Sequence, residues 1–567
     1  MELISALTKA VQDALISLGA SPDAVVSWHM PQEEFHGDIA TPVALQYAKR
    51  LQCSPRQIAD VLVTSVADVA GVDHVDVAEP GYLNVWLEHH AHLERLRNVL
   101  AACSPVPIRE ESPVIIEYSQ PNIAKPLGAH HLLTTLIGQS IANVYAHLGY
   151  PVLKWNYIGD WGTQFGKLAV AHAKWGTKTS ARDYSIDELL ALYVRFHDEA
   201  ESHPDLEDEG RMAFQKLEQG DARLRQFWED VVAVTKQALG SLYERLHVSF
   251  DLDLGESFYQ DKTDAVLEEG RKKGVFTVGE NGALIVQFPD DEYPPYLVQK
   301  SDGATLYSTR DIAQMRYRID TYHPQGVYIV TDVAQKLHFE QLIATCRLLG
   351  WDLPDFENVL TGRMRFADKS MSTRKGNVLN LQAVLDEAVT RAREAIQKHG
   401  EAIQADDPDV LAEMMGIGAV AYGILSLNRK MDMVFDWGKA LSLEGNSAPY
   451  LQYTHARAQS VLRRAGGYEP DFHASAADAL TSHERSLSNT LASFPGVLEE
   501  TRRSHMPHIL AQYLYSLGQA FNAFYNAEPI LQAPVPQRDF RLMLTTLSAS
   551  VLRTGAALLC IRVPDRM

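Results

Sequence analysis

Only four cysteines occur among the 567 residues, Cys53, Cys103, Cys346 and Cys560, and no two form a C-x-x-C pair. That pattern supports neither a zinc knuckle nor a disulfide framework, so no protein-bound zinc is expected and a reducing, cytoplasmic setting fits. A basic excess is also missing. Lys and Arg number 52 against 72 Asp and Glu, a net charge of −20, which argues against a general nucleic-acid binder. No run of about 18 apolar residues is evident, so no membrane span is expected. The start, MELISALTKAVQDALISLG, has an early Glu2 and no basic leader. It reads as an amphipathic helix, not a signal peptide. Repeats, low-complexity tracts, a Walker-type loop and a GxGxxG fingerprint are all lacking.

What is present is ordinary globular material: 46% hydrophobic and 22% charged residues, enough for about three to four domains at roughly 150 residues each. Residues 1–105 mix helical periodicity (Leu3 to Leu18, Pro55 to Val69) with one strand-like run, YLNVWL, and read as an α+β domain. The stretch CSPVPIREESP reads as a linker. PVIIEY, a loop, a helix from Leu132 to a Gly149 cap, and PVLKWNYI then form a strand–helix–strand unit. A second unit runs through GVYIVTD, LHFEQLIATCRLLG and NVLTGRMRF. Together they predict a doubly wound parallel sheet of Rossmann type over residues 112–395, interrupted by an acidic helical insertion near 175–260. Residues 396–440 read as a helical connection and 441–567 as an all-α domain, with no strand signal beyond about Leu379.

Charge is unevenly spread. Residues 181–260 hold 18 acidic and 8 basic side chains, whereas residues 441–567 hold 11 Arg, no Lys and 10 acidic side chains. The C-terminal region therefore has arginine available for phosphate or base contacts.

The loop SQPNIAKPLGAHH lies where such a fold binds ligands, between a strand end and a helix start. Helix-start N–H groups favour phosphate by about 0.3–1 kcal/mol per charge, and Lys125, His130 and His131 add cations or donors. Read without further context, a plain strand-to-helix connection carrying surface histidines is the favoured reading. DKSMSTRKGN, residues 368–377, taken alone is a basic surface loop. Trp161 and Phe165 read as packing residues, and Gly159, Gly162 and Gly166 as turn or close-approach positions. His89, His90 and His92 read as a solvated cluster, not a metal site.

Residues 117–166 resemble the arginyl-tRNA synthetase family, most closely from Pro121 to Lys125 and from Gly159 to Gly166 (GDWGTQFG). PYLQYTHAR at 449–457, FNAFY at 521–525 and the final VPDRM resemble the family's C-terminal pieces, so the likeness spans essentially the whole chain. It implies a class I catalytic domain of the HIGH superfamily, an N-terminal tRNA-binding domain and an all-α anticodon-binding domain. It implies activation of L-arginine with ATP and Mg2+, transfer to the 3′-terminal adenosine of the tRNA for arginine, and a cytoplasmic monomer with no membrane partner. Arginine is expected on Glu117, Asn122, Tyr307, Asp311 and Gln335. Acceptors suit a guanidinium, which offers five donors, and Tyr307 and Asp311 share a helix face at i, i+4. ATP is expected on Lys125, Gly128, His131, Met371 and Ser372. Lys125, His130, His131, Ser372 and Lys375 are the expected catalytic residues.

Two departures stand out. Where the family reads His-x-Gly-His, this chain has Gly128, Ala129, His130 and His131. In the second signature element the two lysines align with Ser370 and Thr373, leaving Lys369, Lys375 and Lys125 to compensate. Adjacent histidines diverge by about 100° on a helix, so a non-helical backbone is expected from Gly128 to His130. The same departures admit a tRNA-binding regulatory protein that has lost catalysis, or another HIGH-type nucleotidyltransferase. The full set of arginine-site residues argues against the first, and GDWGTQFG with the helical C-terminal third argues against the second.

Overall fold

Leu7, Val11 and Leu15 recur every fourth residue and are fully buried, so the first expected helix forms, as α1 (Glu2–Ser17). Burial of each such side chain contributes about 1.5–3 kcal/mol. A computed structural model of the protein describes residues 2–29, 31, 36–123, 127–366, 380–399, 403, 405–472 and 480–567. After α1 come β1 (Ile39–Thr41), α2 (Val43–Leu51), α3 (Pro55–Ala67), β2 (Val72–Ala78) and β3 (Tyr82–Leu87). The strands form an antiparallel sheet in the order β1-β3-β2. Only β3 was expected. Most of β2 is exposed or half-buried, so the apolar alternation that marks a strand is weak there.

α4 (His89–Ala102) leads into the second block: β4 (Val114–Glu117), α5 (Ala129–His147), β5 (Val152–Trp155) and α6 (Thr163–Trp175). The acidic insertion follows as α7 (Ile186–Ser202), α8 (Asp205–Glu218) and α9 (Ala222–Arg245). Ser185 and Glu188 form a capping box at the start of α7. A Cβ on Gly166 of α6 would lie 2.1 Å from the Gly210 carbonyl of α8, the close approach expected of that glycine. Trp161 and Phe165 are buried in the core there.

α10 (Thr263–Lys272) precedes three strands the sequence reading missed: β6 (Phe276–Val278), β7 (Leu284–Val286) and β8 (Tyr296–Gln299), an antiparallel sheet. They are three or four residues long, too short for a clear period. α11 (Tyr307–Tyr322), β9 (Gly326–Asp332), α12 (Lys336–Leu348) and β10 (Asp355–Thr361) complete the expected parallel sheet, in the order β10-β9-β4-β5. All four β4 residues are buried. Val114 and Ile116 face a core shared with α5, and Ile115 faces one shared with α11 and α12. That is why the strand reads as a continuous apolar run instead of alternating.

β11 (Met364–Phe366), α13 (Leu381–His399), α14 (Pro408–Leu425), β12 (Met433–Phe435) and α15 (Trp437–Ala440) follow. β12 corrects the expectation that strands end near Leu379: it pairs in parallel with β11, a partner far upstream. α13 runs across the expected boundary at 395 and packs with α14 in one core. α14 is long and apolar enough, by length and composition, to cross a membrane, contrary to the sequence reading. In this fold 67% of it is buried inside the protein.

The C-terminal bundle comprises α16 (Ala448–Arg464), α17 (Ser482–Ala492), α18 (Phe494–Ser504), α19 (Pro507–Ala527) and α20 (Val535–Leu558). The three C-terminal pieces singled out in the sequence meet here. Asn522 donates to the Tyr450 hydroxyl at 3.0 Å, while Gln452 and His455 hold the Arg562 and Pro564 carbonyls of the tail at 2.9 and 2.8 Å. Several of the arginines are engaged internally. Arg541 pairs with Glu484 and Glu528, and Arg485 pairs with Asp38 of the N-terminal block.

That last contact corrects the reading of the histidine cluster as solvated. His92 is 2% exposed and lies 3.3 Å from the Asp38 carboxylate, and His89 meets the Phe540 ring of α20. Only His90 of the three is well exposed, beside Glu88. α4 packs on α17 and α20, so a face that is open in sequence terms is covered by a segment about 400 residues away.

Candidate functional site

Beyond the carboxyl end of β4 the backbone turns sharply. Ser119 and Gln120 take successive left-handed conformations, with φ of 75° and 52°, which non-glycine residues adopt at a cost and mostly at functional sites. The turn sends Asn122 against the end of the β5 segment, where it bridges to Gly159. A Cβ on Gly159 would come within 2.6 Å of the Asn122 side-chain oxygen. The two halves of the sequence signature thus meet backbone to backbone.

Lys125 lies outside the described residues, as do Ser370, Met371, Ser372, Thr373 and Lys375 of the second element. The flanks of that element are described. β11 precedes it, and Asn380, just after it, bridges to Gly128 at the foot of α5. The chain just after the second element therefore meets the start of α5.

The expected non-helical stretch from Gly128 to His130 is not what forms. α5 begins at Ala129, with Gly128 as its extended N-cap. The reason is local: His131, in the first turn, turns its Nδ1 back to accept the Gly128 N–H at 3.1 Å. That contact satisfies one of the backbone donors a helix start leaves open. His130 is thus in the first helical turn, and its side chain is outside the described residues. His131 is half-buried and lines a cleft of about 390 Å³.

The cleft sits at the carboxyl ends of the parallel strands, where open α/β sheets bind ligands. Asn122 and His131 line it from one side, Asp332 and Gln335 from the end of β9, and Gly362 and Arg363 from beyond β10. Asp332 and Arg363 were missed in the sequence. Asp332 carried a signal, since its carboxylate caps the turn after β9 by accepting the Ala334 N–H at 2.7 Å.

Beside the cleft, α11 brings Tyr307 and Asp311 to one face, as their spacing required. Tyr307 is 58% exposed and Asp311 only 8%. Both meet His338, one turn beyond Gln335 on α12. The His338 Nε2 lies 2.7 Å from the Asp311 carboxylate, and its ring centroid is 5.0 Å from that of Tyr307. The Tyr296 hydroxyl sits 3.1 Å from the other ring nitrogen. Sequence reasoning singled out neither His338 nor Tyr296. Next to Asp311, Arg310 pairs with the half-buried Glu256 at 2.9 Å, whose carboxyl burial pushes up to about 7. The buried Tyr157 hydroxyl has no hydrogen-bond partner among the described residues.

Glu117 stands apart from the other four arginine-site candidates. It is buried and forms an ion pair with the buried Arg318, whose guanidinium lies over the Trp155 ring at 4.5 Å. Gln314 and Gln120 donate to the same carboxylate at 3.2 and 2.5 Å. The protein already matches the charge of Glu117, so it reaches the cleft through Gln120, which lines it. Asp311 is different: among the described residues, His338 is its one hydrogen-bond partner. No cluster of three or more His, Cys, Asp or Glu suited to a metal occurs among the described residues.

Three family models match the chain in order. Residues 2–87 match the arginyl tRNA synthetase N terminal domain, residues 96–437 the catalytic domain of tRNA synthetases class I (R), and residues 451–567 the DALR anticodon binding domain. Among curated relatives, an arginine–tRNA ligase of Alkaliphilus metalliredigens is 38% identical over 95% of both chains. One from Fusobacterium nucleatum is 36% identical over 94% of both. Among solved structures, the Thermus thermophilus arginyl-tRNA synthetase superposes with a TM-score of 0.83 at 26% identity, covering 99% of this chain and 100% of that one.

Proposed function

The chain belongs to the arginyl-tRNA synthetase family, and on that premise we propose that it is an arginine–tRNA ligase working through the cleft at the end of the parallel sheet. In the first step an oxygen of the arginine carboxylate attacks the α-phosphorus of ATP. The bond to the bridging oxygen breaks and pyrophosphate leaves. In the second, a ribose hydroxyl of the 3′-terminal adenosine of tRNA attacks the activated carbonyl, and AMP leaves.

The observation that carries this reading is the convergence of His131, Asn122 and Gln335 on one cleft, with the Asp311 carboxylate, bonded among the described residues to His338 alone, beside it. The start of α5 offers backbone N–H groups to the phosphates, with His131 beside them and Gly128 allowing close approach. Lys125, His130, Met371, Ser372 and Lys375 are the further groups proposed to face ATP, which enters as its magnesium complex. Charge stabilisation on the transferring phosphoryl group is the term such residues supply. Asp311 receives the guanidinium, Tyr307 covers it, and Asn122 and Gln335 orient the rest of the amino acid. Glu117 supports the floor through Gln120 and Gln314. The N-terminal block and the C-terminal bundle are proposed to hold the tRNA.

The test is ATP–pyrophosphate exchange with arginine, with and without tRNA. Exchange is expected only when arginine, Mg-ATP and tRNA are all present, as induced fit requires. Retained tRNA binding with no exchange under any condition would point to a regulatory protein instead. Exchange driven by another acid would point to a different nucleotidyltransferase.

A further inference from the structure

The pocket beside Asp311 contains a residue with no assigned role. His338 lies between three side chains from two elements: Asp311 of α11 at 2.7 Å, Tyr296 of β8 at 3.1 Å, and the ring of Tyr307, also of α11, at a centroid distance of 5.0 Å. Its side chain is 15% exposed and that of Asp311 is 12% exposed. A carboxylate has about four acceptor sites on two oxygens, and a guanidinium binds best when two parallel donors meet a fixed carboxylate plane. Nothing else among the described residues fixes that plane at Asp311.

We propose that His338 is the positioning residue for arginine recognition: held by Tyr296, it clamps one oxygen of Asp311 and leaves the other turned to the guanidinium. This rests on the reading of Asp311 as the guanidinium receptor. With the Tyr296 hydroxyl donating to Nδ1, the hydrogen sits on Nε2 and is donated to the carboxylate. The geometry also explains why a histidine stands there. At Glu117, the partner Arg318 is a permanent cation and the carboxylate is matched from within. An imidazole donor orients Asp311 without bringing a permanent cation that would compete with the substrate.

Steady-state aminoacylation by the full-length protein tests this, with KM for arginine and for ATP measured separately. His338→Ala is expected to raise KM for arginine about 10-fold, the loss of one hydrogen bond to a charged group, with KM for ATP unchanged. His338→Gln keeps a side-chain N–H and should recover most of the loss. Tyr296→Phe, which frees the ring but leaves the donor, should shift KM for arginine about 2- to 3-fold in the same direction. Thermal melts identify any variant that fails to fold, in which case the Gln and Phe variants carry the test. An unchanged KM for arginine in His338→Ala, or equal losses toward both substrates with no recovery by Gln, overturns the proposal. Asp311→Asn is the control. If it raises KM for arginine while His338→Ala does not, only the role of His338 falls. If Asp311→Asn leaves that KM unchanged, the reading of the site falls and the proposal with it.

Discussion

Two of the aspartate–histidine pairs among the described residues, Asp38–His92 and Asp311–His338, have opposite surroundings. At the junction of the N-terminal block and the C-terminal bundle, Asp38 is fully buried and saturated. The Leu87 N–H donates to it at 2.7 Å, Arg485 at 2.7 and 2.9 Å and Asn489 at 2.8 Å, with His92 at 3.3 Å. Burial opposes its ionisation, but these hydrogen bonds and cations outweigh it and hold the carboxyl well below the usual carboxylate range. At the cleft, Asp311 has His338 alone among the described residues. The junction has no acceptor capacity left for a ligand, whereas the cleft does. A buried carboxylate marks a binding site only when the protein leaves part of it unpaired, and burial by itself does not separate the two cases.

Removing each carboxylate should break the comparison in a different observable. The largest effect is expected from Asp38→Ala, which strands the buried His92 and leaves Arg485 without its counter-charge. Breaking a buried pair in this way costs about 3–5 kcal/mol, to be read as a lowered urea midpoint for the transition that separates the N-terminal block from the bundle. A midpoint within error of the unaltered protein would mean the junction carries no net stability.

Asp311→Asn should do the reverse. It should lower kcat/KM for arginine about 10- to 150-fold, the equivalent of about 1.5–3 kcal/mol for one hydrogen bond to a charged group, and leave the urea midpoint in place. A stability loss as large as that at Asp38 would make Asp311 a structural residue.

The smallest effect concerns acid. Burial holds the His92 pKa below its ordinary value, against the opposing influence of Asp38. The unfolded chain therefore takes up a proton near the ordinary histidine pKa of about 6.5 while the folded chain does not. The stability contributed is present above that pH and falls as pH drops below it. Urea midpoints measured from pH 7 to pH 5 should decline, and His92→Asn should remove that part of the slope. An identical slope in the variant would locate the acid sensitivity elsewhere.

How much was legible in the sequence follows the same division. The strand–loop–helix units, the Gly149 cap of α5 and the Tyr307/Asp311 face were all readable, because each depends on periods of two or 3.6 residues and on local capping. Three kinds of feature were not. The helix start at Ala129 turned on one contact, His131 back to Gly128, that competes with the expectation drawn from adjacent histidines. The strands β6 to β8 are too short to show a period. The burial of His92 and the packing of His89 depended on α17 and α20, through Arg485 at the shared Asp38 and through the Phe540 ring, from the far end of the chain.

By itself the sequence determined the family, the parallel sheet and its order of units, and which side chains are chemically able to hold a guanidinium and a triphosphate. Those properties reside in residue identity and short-range spacing. Only the tertiary structure decided which carboxylate is open. Glu117 and Asp311 are equivalent on paper, but folding brings Arg318 onto the first and His338 onto the second, from positions 201 and 27 residues away. Charge pairing across such separations is fixed by how helices and strands pack, and no local pattern encodes it.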